Sequence, residues 1–152
     1  MNLSILGTHL LKTVHLLFVV VGVGGAVAQL FLLLKYRRAT HAETAASENM
    51  ALTLTKFVEF YGLVLAFVTG LILALMTGAF GTGGYLHAKT TLVVVMLGFS
   101  HVELRNLKRM VALRAEGKAA EADQVKQNHL TLGAFSLLMV VVIVFLVINK
   151  PF

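Results

Sequence analysis

LTLGAFSLLMVVVIVFLVIN, residues 130–149, carries no charge over a length that crosses a bilayer. About 20 apolar residues in a helix span the ~30 Å of hydrocarbon. Only a helix satisfies its own backbone along such a run. Working back along the chain, residues 9–34 are uncharged from Thr13 onward, and residues 55–76 are uncharged from Phe60 onward. Each reads as a further span. The remaining stretch, residues 85–107, is weaker, because only 13 positions separate Lys89 from Glu103 and they include Thr90, Thr91, Ser100 and His101. A helix of that kind is acceptable inside a bundle, where its polar face need not touch lipid. Composition agrees: 58% of the 152 residues are hydrophobic and 13% charged, against roughly 45–50% and 25% in soluble domains. The whole chain, residues 1–152, is therefore expected to be one all-α transmembrane domain, a four-helix bundle.

Charge decides the count of crossings. With four spans, Lys35, Arg37, Arg38, Lys56, Arg105, Lys108, Arg109, Arg114, Lys118 and Lys126 share one side, leaving Lys12, Lys89 and Lys150 opposite. The positive-inside rule makes the richer side cytoplasmic and puts both termini outside. The net charge of +6 is then a topology signal rather than a nucleic-acid footprint. The start, with Lys12 and Ala26-Val27-Ala28-Gln29, looks like a signal peptide; the apolar run continues through Leu34, so it reads as a retained helix. The segments 39–49 and 111–127 are rich in Ala, Glu and Lys and are expected to prolong helices into the cytoplasm. Glycines 78, 81, 83 and 84 mark a short outer turn. With no cysteine, disulfides and thiolate metal sites are excluded.

Small residues recur at helical spacing: Gly62, Ala66, Gly70 and Ala74 in the second span, and Gly22/Ala26 and Gly24/Ala28 in the first. Such ridges let helix backbones approach closely in lipid; the alternative is room for a flat ligand. The fourth span lacks a ridge after Ser136, which favours lipid or a partner on that face.

Chemistry rests on the histidines, which are costly at membrane depth. His9 and His41 sit at or beyond interfaces and read as solvated. His15 lies about two turns into an apolar helix, and His87 opens the third span on the same side. Imidazole is a common axial ligand of haem iron, and helix bundles build cofactor sites from facing side chains. The expectation is a haem or other tetrapyrrole held by His15 and His87, with Lys12 and Lys89 meeting its propionates; the plainer reading makes the lysines snorkelling anchors and His87 an interfacial residue. His101 follows His87 by 14 residues, nearly the same face and ~21 Å deeper, and with His129 forms the candidate for a second haem. Glu59 is expected to pair with Lys56 or Arg105, with proton handling as the alternative. Met96 and Met139 are further iron donors or core filling.

The residues Lys12-Thr13-Val14-His15, Tyr85-Leu86-His87-Ala88-Lys89, the basic tail around Arg105–Arg109 and the closing Lys150-Pro151-Phe152 resemble the HemJ-type protoporphyrinogen oxidase family and related small haem-binding membrane proteins. The resemblance implies haem b, a bacterial cytoplasmic membrane, and oxidation of a tetrapyrrole substrate in porphyrin biosynthesis. It also implies roles for His15, Lys12, His87 and Lys89. The chain departs from that family in lacking tryptophan and in having Ala28-Gln29-Leu30 where a Pro-Arg pair is expected. Three functions are expected on this basis: a haem-binding electron-transfer protein or subunit of a redox complex, a protoporphyrinogen oxidase, or a non-catalytic assembly subunit.

Overall fold

The computed structural model describes residues 3–37, 39–81 and 84–149, and among them every regular element is helical. The closing motif at residues 150–152 lies outside the described residues. In order come α1 (Leu3–Lys35), α2 (His41–Leu54), a π turn (Thr55–Glu59), α3 (Phe60–Met76), a short 3₁₀ turn (Ala79–Gly81), α4 (Gly84–Ala115) and α5 (Ala119–Asn149). Three rods are long and apolar enough to cross a membrane: α1 from Ile5, the continuous rod from His41 to Met76, and α5. At 1.5 Å per residue, each rod and α4 reach about 45–55 Å, well beyond the hydrocarbon thickness. The excess gathers at one end. There the helices prolonged by segments 39–49 and 111–127 form a packed apolar core of Leu33, Ala51, Leu107, Met110, Leu113 and Ala122.

Local chemistry explains where the chain turns. Thr40 caps α2 with a capping box: its hydroxyl accepts from the Glu43 N–H, and the Glu43 carboxylate accepts from the Thr40 N–H at 3.0 Å. Two orphan donors are thereby satisfied. These bonds from Thr40 hold the Glu43 carboxyl below its ordinary range, on the overhang that precedes the apolar stretch. α4 ends in a Schellman motif, with Gly117 at φ 76°, its N–H on Arg114 O, and the Lys118 N–H reaching back to Leu113 O at 2.9 Å. The left-handed conformation there suits glycine.

Packing of α1 on α3 is antiparallel, and the small residues set its closeness. Gly22 lies on Gly62, and a Cβ on Gly62 would come within 2.7 Å of Gly22 backbone atoms. Lower down, a Cβ on Gly25 would come within 2.8 Å of the Glu59 N. The π turn explains that second contact: the Phe60 N–H bonds Thr55 O, five residues back, which widens the rod. The ridge on α1 is thus Gly22, Gly25 and Ala26; Gly24 meets nothing within 4 Å. α5 packs on α4 and on α1, whereas α3 and α4 touch little. Outside, Leu16, Leu17, Val20, Phe31, Val141, Phe145 and Ile148 are among the exposed apolar side chains. They cover the surface that lipid contacts.

Candidate functional site

Because α3 and α4 touch little, a cavity of about 230 Å³ opens between α1, α3, α4 and α5, toward the end of the bundle where α4 begins. Its walls are almost wholly apolar. Leu63, Phe67, Val93, Val140 and Val144 supply much of them, with His15, Lys89, Thr90 and Met96 as the functional groups. His15 is fixed by α3. Its Nδ1 lies 2.9 Å from Ala66 O and 3.1 Å from Thr69 Oγ1. A carbonyl only accepts, so the bond requires the proton on Nδ1 and leaves the Nε2 lone pair free. Thr69 sends its own hydroxyl hydrogen to Leu65 O at 2.7 Å. Gly70 makes room for the ring: a Cβ there would lie 2.9 Å from His15 Cε1. The ridge Gly62, Ala66, Gly70 and Ala74 therefore serves both uses, helix contact at Gly62 and a cavity wall from Ala66 outward.

The other expected ligands are distributed differently. His87 is exposed and does not line the cavity; its Nε2 lies 3.2 Å from Phe80 O and its ring packs on Phe80. α4 begins at Gly84, and its azimuth there turns Leu86, Lys89, Thr90 and Val93 to the cavity and His87 away. The structure therefore brings Lys89, not His87, to the cavity that His15 lines. Lys12 is exposed. His101 is exposed, while His129 is fully buried on α5, so these two are not brought together. His9 and His41 are exposed, as a solvated reading expects. No group of three or more His, Cys, Asp or Glu side chains able to hold a metal ion occurs among the described residues.

Deeper in the bundle lies a polar network whose joining across helices is not visible in the sequence. Glu59, at the end of the π turn, accepts from Ser100 at 2.9 Å and from Thr55 at 3.2 Å. Ser100, which donates to Glu59, and Ser136, which donates to Glu103, bound one small void together with Glu59, and this brings the two carboxyl groups close. Glu103 accepts from Ser136 at 2.6 Å and, at the long limit of 3.5 Å, from Gln29. Gln29 in turn accepts from His129 Nε2 at 2.9 Å. The network thus joins α1, the π turn, α4 and α5. Glu59 pairs with neither Lys56 nor Arg105: among the described residues no cation forms an ion pair with Glu59 or Glu103. The sequence offered one signal, the polar Gln29, Glu59 and Glu103 standing at or near the ends of apolar runs, but not their meeting.

The opposite end of the bundle, where α4 meets α5, carries the ion pairs instead. Arg114 bridges the fully buried Glu48 by two bonds, 3.0 and 2.5 Å, and also Asp123 at 2.7 Å. The Glu48 hydrogen bond, reinforced by Asp123, raises the Arg114 pKa further above its usual range. Lys126 Nζ stands 3.8 Å from Glu48.

Comparison with curated proteins and with solved structures finds no match. The long apolar rods and the lipid-facing surface agree with the family whose model matches. The chain, over residues 9–151, belongs to the family described as "Predicted integral membrane protein (DUF2269)".

Proposed function

We propose that this protein binds haem b in its outer cavity through His15 and works in electron transfer, alone or as the subunit of a redox complex in a bacterial cytoplasmic membrane. The observation that carries the reading is the His15 imidazole, pinned through Nδ1 to the Ala66 carbonyl within an apolar cavity, with Nε2 left as donor. A backbone carbonyl on the second nitrogen fixes the tautomer and orientation of a ligating histidine. The residues present fit the group. His15 would hold the iron, Lys89 would meet a propionate, and Met96 is the remaining soft donor lining the cavity. The walls Leu63, Phe67, Val93 and Val144 exclude water from a flat apolar ring system. Bound, the haem supplies reversible one-electron iron chemistry. His87, exposed and turned to Phe80, has no part in this ligand set.

The reading includes four crossings, with both termini outside. α4 joins α3 and α5 through short connections at its two ends, and both neighbours are apolar enough to span. A helix of ~48 Å so tethered runs from face to face. Its polar residues Ser100 and Glu103 are buried inside the bundle rather than offered to lipid.

Visible spectra of the detergent-purified protein, oxidised and dithionite-reduced, test the proposal. A Soret band and a reducible α-band are expected. His15→Ala should abolish or shift them, and His87→Ala should leave them within a few nanometres of wild type. Pigment-free protein in good yield from haem-replete cells would sink the reading and favour an assembly subunit. Protoporphyrinogen oxidation is the second reading, favoured by two buried carboxyls close to a cavity suited to a tetrapyrrole. Rescue of a strain lacking that oxidase is its test.

A further inference from the structure

Glu59 and Glu103 present an energetic problem that neighbouring charge does not solve. Glu59 is 2% exposed and Glu103 is fully enclosed. Their partners are the hydroxyls of Thr55, Ser100 and Ser136 and the Gln29 amide, and Ser100 and Ser136 meet at one void beside Glu59. Of the elements packed on them, α1 brings Gln29, the π turn Thr55, α4 Ser100, and α5 Ser136 and His129. His129 is a further titratable group in the network, reached through Gln29, and among the described residues its buried Nδ1 has no hydrogen-bond partner. Two full charges around so small a void, in a medium this poor in counter-charge, would repel strongly and lose their hydration as well. One proton between them removes a charge and supplies the missing donor.

The pair is also reachable from one side. A void of about 10 Å³ is bounded by Glu59, Ser100 and Ser136 on its polar face. That is close to the smallest space that holds one water, and the site offers the polar partners a buried water needs. Its apolar side, Val23, Leu63, Met96 and Val140, is at the same time part of the wall of the outer cavity. Toward the cytoplasm the route is closed by Leu33, Leu107 and Met110, all fully buried.

We propose that Glu59 and Glu103 share a proton at the centre of the bundle and exchange it with the outer cavity through a single water in this void, forming a proton port that opens outward only. In the uptake step, a proton passes from the void water to the Glu59 carboxylate. The carboxyl pair gains one proton and goes from a single negative charge to neutral, and the water is left to be reprotonated from the cavity. Release reverses the step with no other atom transferred. The port would serve any proton-coupled chemistry in the cavity and stands whether or not haem is its occupant.

Infrared spectroscopy of the protein in lipid vesicles at pH 7 tests this without need of pigment. A protonated-carboxyl C=O band is expected that shifts down in D₂O and disappears in both Glu59→Gln and Glu103→Gln. Val140→Phe, which fills the wall between cavity and void, should slow the D₂O shift at least tenfold while keeping the band. The wild-type band alone is decisive should the glutamine variants fail to fold. Its absence at pH 7 overturns the shared proton. A band present but exchanging at the wild-type rate in Val140→Phe overturns the outward route. Because the measurement ignores visible absorbance, failure of the haem reading is told apart from failure of the port.

Discussion

Arg114 shows how much one side chain carries at the inner end. It has 7% of its surface exposed and holds the fully buried Glu48 by two bonds. Arg114→Ala would leave that carboxylate with Lys126 Nζ alone, 3.8 Å away. Breaking a buried pair by removing one partner costs roughly 3–5 kcal/mol, because the survivor is uncompensated. Lys126→Met, by contrast, keeps the two-bond pair and removes a buried ammonium, so it should change stability by less than about 1 kcal/mol. Thermal unfolding of the two variants in detergent, followed by circular dichroism, checks the contrast. Equal losses would show that Lys126 neutralises Glu48 as much as Arg114 does. His15 makes the same point at the outer end. Its role depends on Ala66, Thr69 and Gly70, three residues of another helix with nothing chemically distinctive in the sequence.

At the scale of elements, the contact of α1 with α3 and the π turn decides what faces the interior. A π turn carries one residue more than the α-helical ladder accommodates, which rotates the helix beyond the turn relative to the helix before it. Here Glu59 closes the turn and lands against Gly25 of α1, where no side chain fits. Without that widening, the azimuth of Glu59 and α3 relative to α2 would differ by much of a helical step. Gly62 is the tightest point above it. Gly62→Ala would thrust a Cβ into Gly22 backbone at 2.7 Å, and overpacking of a well-fitted contact costs on the order of 1–3 kcal/mol. Gly24→Ala, with open space around it, should be neutral or slightly stabilising, since alanine is the better helix former. Denaturation in mixed detergent measures both. A neutral Gly62→Ala would mean that the helices are free to part there.

For the whole molecule, the number of crossings is the quantity to measure, and the absence of cysteine makes the protein a ready background for labelling. Gly81 and Glu116 are exposed and stand near opposite ends of α4. In intact cells a membrane-impermeant maleimide should label Gly81→Cys at once and Glu116→Cys only after permeabilisation. Labelling of both from one side would mean that α4 does not cross, and the four-span reading would fall with it.

Much of the architecture was legible from the chain because it obeys local rules. Apolar runs of bilayer length must be helical, basic loops mark one face, and small residues at fourfold spacing mark a close contact. Thus α1, α3 and α5 were visible, as were the helical overhangs at segments 39–49 and 111–127. The candidate site was less legible. His87 and Lys89 both open α4, and spacing alone cannot say which of two neighbours a helix turns inward. Glu59 and Glu103 lie 44 positions apart, and their contact depends on a π turn for which the sequence carries no periodic signal.

Sequence by itself therefore determined that this chain is a helical membrane protein, because the cost of unpaired backbone in hydrocarbon leaves no other solution. Tertiary packing decided which of its polar side chains meet. The rotation of each helix about its own axis is set by long-range contacts such as Gly22 on Gly62 and Gly25 on Glu59, and that rotation put His15 into the cavity, His87 outside it, and two carboxyls together at the centre.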